Sequence, residues 1–293
     1  MDNQLTRSVV VTGVSSGIGE AIAEFLIKDG CRVFGSVRKS VDADRLQESL
    51  GHHFTPLLFD VCDADAIAQS AKDVSETLNG LPLAGLVNNA GLAAFGPLEC
   101  LNDETFEHII AVNLLGVRLV TNAFLPLLRF SDPESDRPYS PGKIINISSL
   151  SGIVNTPMSG AYCVSKHALE SLSEIYRREL LGEGIKVFSI RSGPIQSQIW
   201  SKNKQDDRQY ANPHYQIMSE NAQVLMANAA ADALPASVIA RLVNDIICDR
   251  KRNLTYALGR GALFASLLSA KFPERWADWL IHRALTKSVK VTG

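Results

Sequence analysis

Short apolar runs recur along the chain: SVVVT at 8–12, CRVFGSV at 31–37, FTPLLF at 54–59, LAGLV at 83–87, KIINIS at 143–148, IKVFSI at 185–190 and LTYAL at 254–258. They are rich in β-branched residues and show little polar alternation, the pattern of strands covered on both faces. Between them, at 18–29, 42–50, 64–79, 103–130, 159–182 and 236–249, apolar residues return at helical spacing. Strand and helix in strict alternation predict an α/β fold with a doubly wound parallel sheet, built as a single domain over residues 1–293.

Three segments break the pattern. Residues 131–141, SDPESDRPYSP, are polar and proline-rich, a surface loop by composition. Residues 195–233 scatter Trp200, Tyr210, Tyr215, Met218 and Met226 among polar residues, which suits a helical substrate flap over a pocket better than a core element. Residues 261–293 form a C-terminal helical extension in which Phe264, Leu267, Leu268, Trp276, Trp279 and Leu280 are mixed with charges. This extension is expected to pack on the domain or a neighbouring subunit, with a peripheral membrane-surface contact as the alternative.

Composition narrows the partners. A net charge of -2 and the lack of any basic block argue against nucleic acid and for a small, neutral ligand. Five scattered cysteines without a CxxC pair indicate neither a disulfide framework nor a zinc site, and fit a reduced, cytoplasmic setting. No histidine spacing suggests a metal. The first strand begins within ten residues of Met1, so no leader is expected, and no apolar run approaches the ~18 residues of a membrane span.

The first predicted strand runs into TGVSSGIG, where Gly13, Ser15, Ser16, Gly17, Ile18 and Gly19 lead into a helix. Glycines in that position allow a tight turn and close approach of a pyrophosphate, met by free N–H groups and the helix N-terminus, so a Rossmann-type dinucleotide site is expected. An acid at the end of the second strand would bind a ribose 2′-hydroxyl, whereas a base would accept a 2′-phosphate. The chain has Arg38 and Lys39 there and no acid before Asp42, which favours NADP(H) with NAD(H) as the alternative. Asp60 and Val61, ending the third strand, lie where an adenine could be contacted. Tyr162 and Lys166 are four apart in a helical pattern and therefore share a face. A nearby ammonium favours a phenolate and would lower the tyrosine pKa by roughly 1–3 units, toward general acid–base use. Alone, the spacing is more simply read as a half-buried tyrosine beside a surface lysine.

TGVSSGIG, NNAG at 88–91, Asn113, Ser149 thirteen residues before Tyr162, and YxxxK at 162–166 together resemble the short-chain dehydrogenase/reductase family, over roughly residues 7–195. The look is nearest to its hydroxysteroid and retinol dehydrogenase branch. The resemblance implies a seven-stranded sheet, a nicotinamide cofactor, and hydride transfer between an alcohol and a carbonyl. It makes Asn113, Ser149, Tyr162 and Lys166 the catalytic set, with Lys166 also on the nicotinamide ribose and Asn113 holding a water. It places Asn89, Ala90, Gly91, Ile195 and Ser197 on the cofactor, and implies a homodimer or homotetramer. One segment departs from the family pattern: Ser192 stands where a proline is usual, removing a rigid turn. Around the expected reacting centre, Phe95, Leu150, Met158 and Trp200 would join Ser149 and Tyr162 in contacting substrate. That apolar lining points to a hydrophobic substrate. The alternatives are a reductase of polar or short-chain keto compounds, and a nucleotide-binding regulatory protein without turnover.

Overall fold

The computed structural model describes residues 7–129, 140–196, 210–259, 261–262, 265 and 273–286. Seven parallel strands form one sheet: β1 (Ser8–Val11), β2 (Arg32–Val37), β3 (Phe54–Leu58), β4 (Gly85–Asn88), β5 (Lys143–Ser149), β6 (Lys186–Ser192) and β7 (Thr255–Leu258). Their spatial order is β3-β2-β1-β4-β5-β6-β7. The direction of winding reverses between β1 and β4, and a crevice opens there beyond the carboxyl ends of the strands.

Side chains alternate across each strand and build a core on either face. Val9 and Val11 join Ile22, Leu26, Phe54, Ile145 and Phe188 on one side. Val10 joins Phe34, Leu86, Phe124 and Ile144 on the other. The first face is covered by α1 (Gly17–Lys28), α2 (Ser40–Leu50) and, later in the chain, α8 (Ala236–Ile247), whose Ile239, Val243, Ile246 and Ile247 are buried. The second is covered by α3 (Ala64–Leu78), by α4 (Asp103–Ile110) running through a π-helical turn at Ala111–Gly116 into α5 (Val117–Leu128), and by α6 (Gly160–Glu179). Among the described residues, Asp103–Leu128 is long and apolar enough, by length and composition, to cross a membrane. Val112, Val120, Phe124 and Leu128 on it are buried in the sheet's second core, the behaviour of a core helix.

The predicted strands and helices all form, with shifted ends. β4 begins two residues later than its apolar run, because the Leu83 and Ala84 amides donate to Leu127 and Ser8 carbonyls before the ladder starts. It ends on Asn88, a polar residue that a buried network accommodates. Asn88 Nδ2 donates to Thr121 Oγ1 (3.1 Å) and Asn146 Oδ1 (2.9 Å), and Asn146 Nδ2 donates to Ser173 Oγ (2.8 Å). These bonds join β4, β5, α5 and α6 at one level, and so fix the strand ends and the helix that carry the site.

The flap and the extension have a core of their own. Helices α7 (Pro213–Ala231) and α9 (Glu274–Thr286) pack together, and Met218, Ala222 and Leu285 are buried with Met158 beneath Phe95, Tyr210 and Tyr215. Asn221 Nδ2 donates to the Leu285 carbonyl (2.8 Å). The base of the flap is clamped where Ile195 bridges to Leu234, with the Gln196 amide on the Leu234 carbonyl and the Leu234 amide on that of Pro194. Most of the 131–141 loop, and Ser197 and Trp200, lie outside the described residues.

Candidate active site

A cavity of about 350 Å³ lies beyond the carboxyl ends of β1, β4, β5 and β6, within the size range of ligand pockets. One end is formed by the β1–α1 turn, where Gly13, Ser15, Ser16, Gly17 and Ile18 all face the cavity. Gly13 has φ +70° and a Cβ there would stand 2.9 Å from Ala90 Cα, so only glycine fits. The turn is tied down from below. The Gly13 amide donates to Ser36 Oγ (3.0 Å), and Asn89 Nδ2 donates to the carbonyls of Thr12 (2.9 Å) and Gly13 (3.0 Å). Thr12 Oγ1 accepts from the Asn89 and Ala90 amides, locking the β4 turn to β1. Glu20, the one acid in the first turn of α1, is taken by Arg45 at 2.6 Å. The positive helix end is therefore left facing the cavity, a setting for a phosphate.

At the same end, Arg38 lines the cavity with Asp60 and Val61. Its side chain is 64% exposed and its guanidinium stands 3.7 Å from the Asp60 carboxylate, a loose pair that a stronger anion would displace. Lys39 does not line the cavity; it stands at the N-cap of α2. Gly19 does not line it either. A Cβ on Gly19 would meet the Gly13 carbonyl oxygen at 2.2 Å and Asn89 Nδ2 at 2.5 Å, so this glycine serves the packing of α1 under the turn. Gly91 and Ala90 line the middle of the cavity, and Ile195 the far wall.

Ser149, Leu150, Tyr162 and Lys166 meet at the other end. Ser149 is the last residue of β5, and Tyr162 and Lys166 rise from the first two turns of α6. Tyr162 is hydrogen-bonded to the Ser149 hydroxyl, yet burial outweighs that bond and pushes the phenol up to about 12. The lowering expected from Lys166 is not what this arrangement gives. Lys166 Nζ lies 5.7 Å over the Tyr162 ring and donates to the Ile147 carbonyl (2.9 Å), so its charge is directed at the strand and not the phenol oxygen. Burial in turn lowers Lys166 to about 8, while Glu170, one turn on, pulls it back up.

Asn113 sits in the π-helical turn, fully buried and outside the cavity lining. Its Oδ1 accepts from the Leu92 amide (2.8 Å), and its Nδ2 donates to the Leu92 carbonyl (2.8 Å) and Ser165 Oγ (2.9 Å). Asn113 therefore splices the segment following Gly91 to α6, a tie the wide π turn makes reachable. Phe95 and Met158 do not line the cavity. They belong to the apolar cluster under α7 and α9. Ser192, which lacks the proline ring, is held differently: its hydroxyl donates to the Ser148 carbonyl (3.1 Å), and the Gly193 amide to Leu258 (2.7 Å). Thr12 and Ser36 were not anticipated from the chain. Their signal was faint, since small hydroxyl residues in strands read as ordinary sheet positions.

The pattern that defines the short chain dehydrogenase family matches residues 7–208, more than half the chain. The chain belongs to the short-chain dehydrogenase/reductase family. Among characterised relatives, this short-chain dehydrogenase is 33% identical to the NADPH-dependent 3-dehydrocapnine reductase of Ornithobacterium rhinotracheale, covering 96% of this chain and 98% of that one. It is 29% identical to short-chain dehydrogenase/reductase family 9C member 7 of Bos taurus over 97% of this chain and 92% of that one. With retinol dehydrogenase 7 of Mus musculus it shares 34% identity, over 66% and 58% of the two chains. Among solved structures, a short-chain dehydrogenase from Streptomyces avermitilis superposes with a TM-score of 0.77 at 25% identity, covering 96% and 98%. An alcohol dehydrogenase from Thermococcus sibiricus, complexed with 5-hydroxy-NADP, superposes at 0.67 and 25% identity, covering 87% and 96%. The protein is thus an alcohol/carbonyl oxidoreductase whose fold binds a nicotinamide cofactor.

Proposed function

We propose that this short-chain dehydrogenase is an NADP(H)-dependent oxidoreductase of hydrophobic hydroxy or keto compounds, with Tyr162 as general acid/base. The observation that carries the reading is the meeting of Ser149, Tyr162 and Lys166 at one end of a cavity whose other end is a phosphate-ready helix terminus beside Arg38. The residues fit the cofactor: the β1–α1 turn and the open end of α1 would hold its pyrophosphate, Arg38 a 2′-phosphate, and Gly91 with Ile195 would flank the nicotinamide half. When bound, that cofactor supplies or accepts the hydride.

In the reducing direction the carbonyl oxygen gains negative charge as its carbon is reduced. Ser149 and Tyr162 both present hydroxyls to that oxygen, which orients the carbonyl and stabilises the charge. Tyr162 then transfers its proton to the oxygen, and its O–H bond breaks as the product O–H forms. A phenol held near 12 is fully protonated at neutral pH, the state an acid needs. An alkoxide is a far stronger base than a phenolate, so the transfer runs downhill. Lys166, cationic below about 8 and 5.7 Å from the Tyr162 ring, offsets part of the resulting phenolate charge through space although its hydrogen bond goes to Ile147. NADP(H) is supported by Arg38, by the lack of an acid at the end of β2, and by the NADPH dependence in the name of the Ornithobacterium relative. A hydrophobic substrate is supported by Leu92 and Leu150 on the cavity wall, by the Phe95–Met158 cluster alongside, and by the retinol dehydrogenase relatives. A homodimer is supported by Leu115, Val164 and Ile175, each about half exposed on the π turn and α6.

The test is titration of the purified protein with NADPH and NADH, followed by turnover of steroid and retinoid panels against sugars and short β-ketoacyl compounds. Tighter NADPH binding and preference for the lipophilic panel are expected. Tighter NADH binding overturns the cofactor assignment, and preference for the polar panel overturns the substrate class.

A further inference from the structure

Helix α9 is apolar on two opposite sides. Ile281 and Leu285 face inward against Met218 and Ala222. Trp276 and Trp279 face outward, 62% and 51% exposed, with ring centroids 6.4 Å apart and edges to faces. Among the described residues these are the two largest exposed side chains of apolar character, and they stand on successive turns. Arg283 continues the stripe one turn on, its guanidinium 5.1 Å over the Trp279 ring. At helical spacing Glu274 sits about 140–160° from the two indoles, and Asp278 about 160° from Trp276 and about 100° from Trp279, so neither acid lies in the stripe.

We propose that this face docks the enzyme peripherally on an anionic lipid surface. Paired indoles flanked by a cation are the chemistry of a bilayer interface, where the rings sit at headgroup depth and the guanidinium reaches phosphate. The charge distribution matches. From Gly259 to the end, the chain has six Arg and Lys against two acids, while the whole chain carries -2. In sequence, the stretch that contains α9 is therefore the basic part of an acidic chain, and an anionic surface favours contact through α9 over contact through the rest. A second copy of the chain is the poorer occupant, because a twofold contact centred on the indole stripe would set two like-charged Arg283 side chains on one face. Docking here places α7 and the Met158–Phe95 cluster beside the surface from which a lipophilic compound would come. The inference stands on α9 and its charges and holds whatever the substrate proves to be.

The experiment is co-sedimentation of the full chain with vesicles of phosphatidylcholine alone and of phosphatidylcholine with about one quarter phosphatidylglycerol. Binding to the anionic vesicles, weakened by salt, is expected, with Trp276→Ser/Trp279→Ser weakening it about tenfold or more and Arg283→Gln about fivefold. Unchanged NADPH binding by the variants shows that they are folded, since these side chains lie on the outer face of α9. Failure of the wild type to sediment with anionic vesicles overturns the proposal, as does equal binding by the double variant. So does self-association that the double variant abolishes without any vesicle binding, which would make a second copy the occupant.

Discussion

Replacing Lys166 by methionine should stabilise the fold while abolishing turnover. Lys166 is 5% exposed and its pKa falls from 10.5 to about 8 on burial, a difference worth about 3 kcal/mol against the ammonium form. Below pH 8 the lysine is protonated in both folded and unfolded chains, and that cost is fully present. Between about 8 and 10.5 the folded protein binds fewer protons than the unfolded one, so the wild type gains stability as pH rises and the cost is gone above that window. Methionine is of similar length and carries no charge, but it gives up the charge-assisted bond to the Ile147 carbonyl (2.9 Å), a loss of about 1.5–3 kcal/mol. The net expectation is a gain of roughly 0–2 kcal/mol at pH 7, with the difference between the two proteins shifting toward the wild type by about 2 kcal/mol at pH 9.5. Urea unfolding of both proteins at the two pH values, without cofactor, measures it. Destabilisation at pH 7, or a difference between the two proteins that does not change with pH, would refute the argument that burial opposes the lysine charge.

Arg38→Ala should weaken NADPH about tenfold to a hundredfold and leave NADH nearly unchanged, as a charge-assisted contact to a 2′-phosphate requires; fluorescence titration with both cofactors checks it. Asn146→Ala removes the bonds to Asn88 and Ser173 in a fully buried network, and should cost about 2–4 kcal/mol in chemical denaturation. Gly19→Ala forces a Cβ to 2.2 Å from the Gly13 carbonyl oxygen. It should abolish cofactor binding and lower stability by about 1–3 kcal/mol, read by titration and thermal melting.

The sheet and its covering helices were legible because buried parallel strands and amphipathic helices leave distinct periods, and every run from Ser8 to Leu258 lies on its predicted element. Strand ends were less legible. Asn88 reads as a turn residue until its Nδ2 is seen donating to Thr121 and Asn146. The glycine turn, Ser149, Tyr162 and Lys166 could be placed on one cavity in advance because each sits at an element end that the topology brings to one side. Their electrostatics could not. Spacing showed that Lys166 shares a face with Tyr162, but not that its ammonium would reach Ile147 or that burial would raise the phenol. Gly19 and Lys39 read as cofactor contacts from their positions, and only the contacts show that neither lines the cavity. Ser192 replaces a ring with a hydroxyl bond to Ser148, a substitution visible only in three dimensions. The helix α7 and its packing on α9 were faint because Met218 and Leu285, distant in sequence, bury each other.

The most direct test of the account is single-turnover reduction of a lipophilic ketone with NADPH by the wild type and by Tyr162→Phe. A fall in rate of about 10²–10⁴-fold with NADPH affinity retained is the result predicted. A Tyr162→Phe enzyme that reduces the ketone at the wild-type rate would contradict the assignment of the proton to Tyr162.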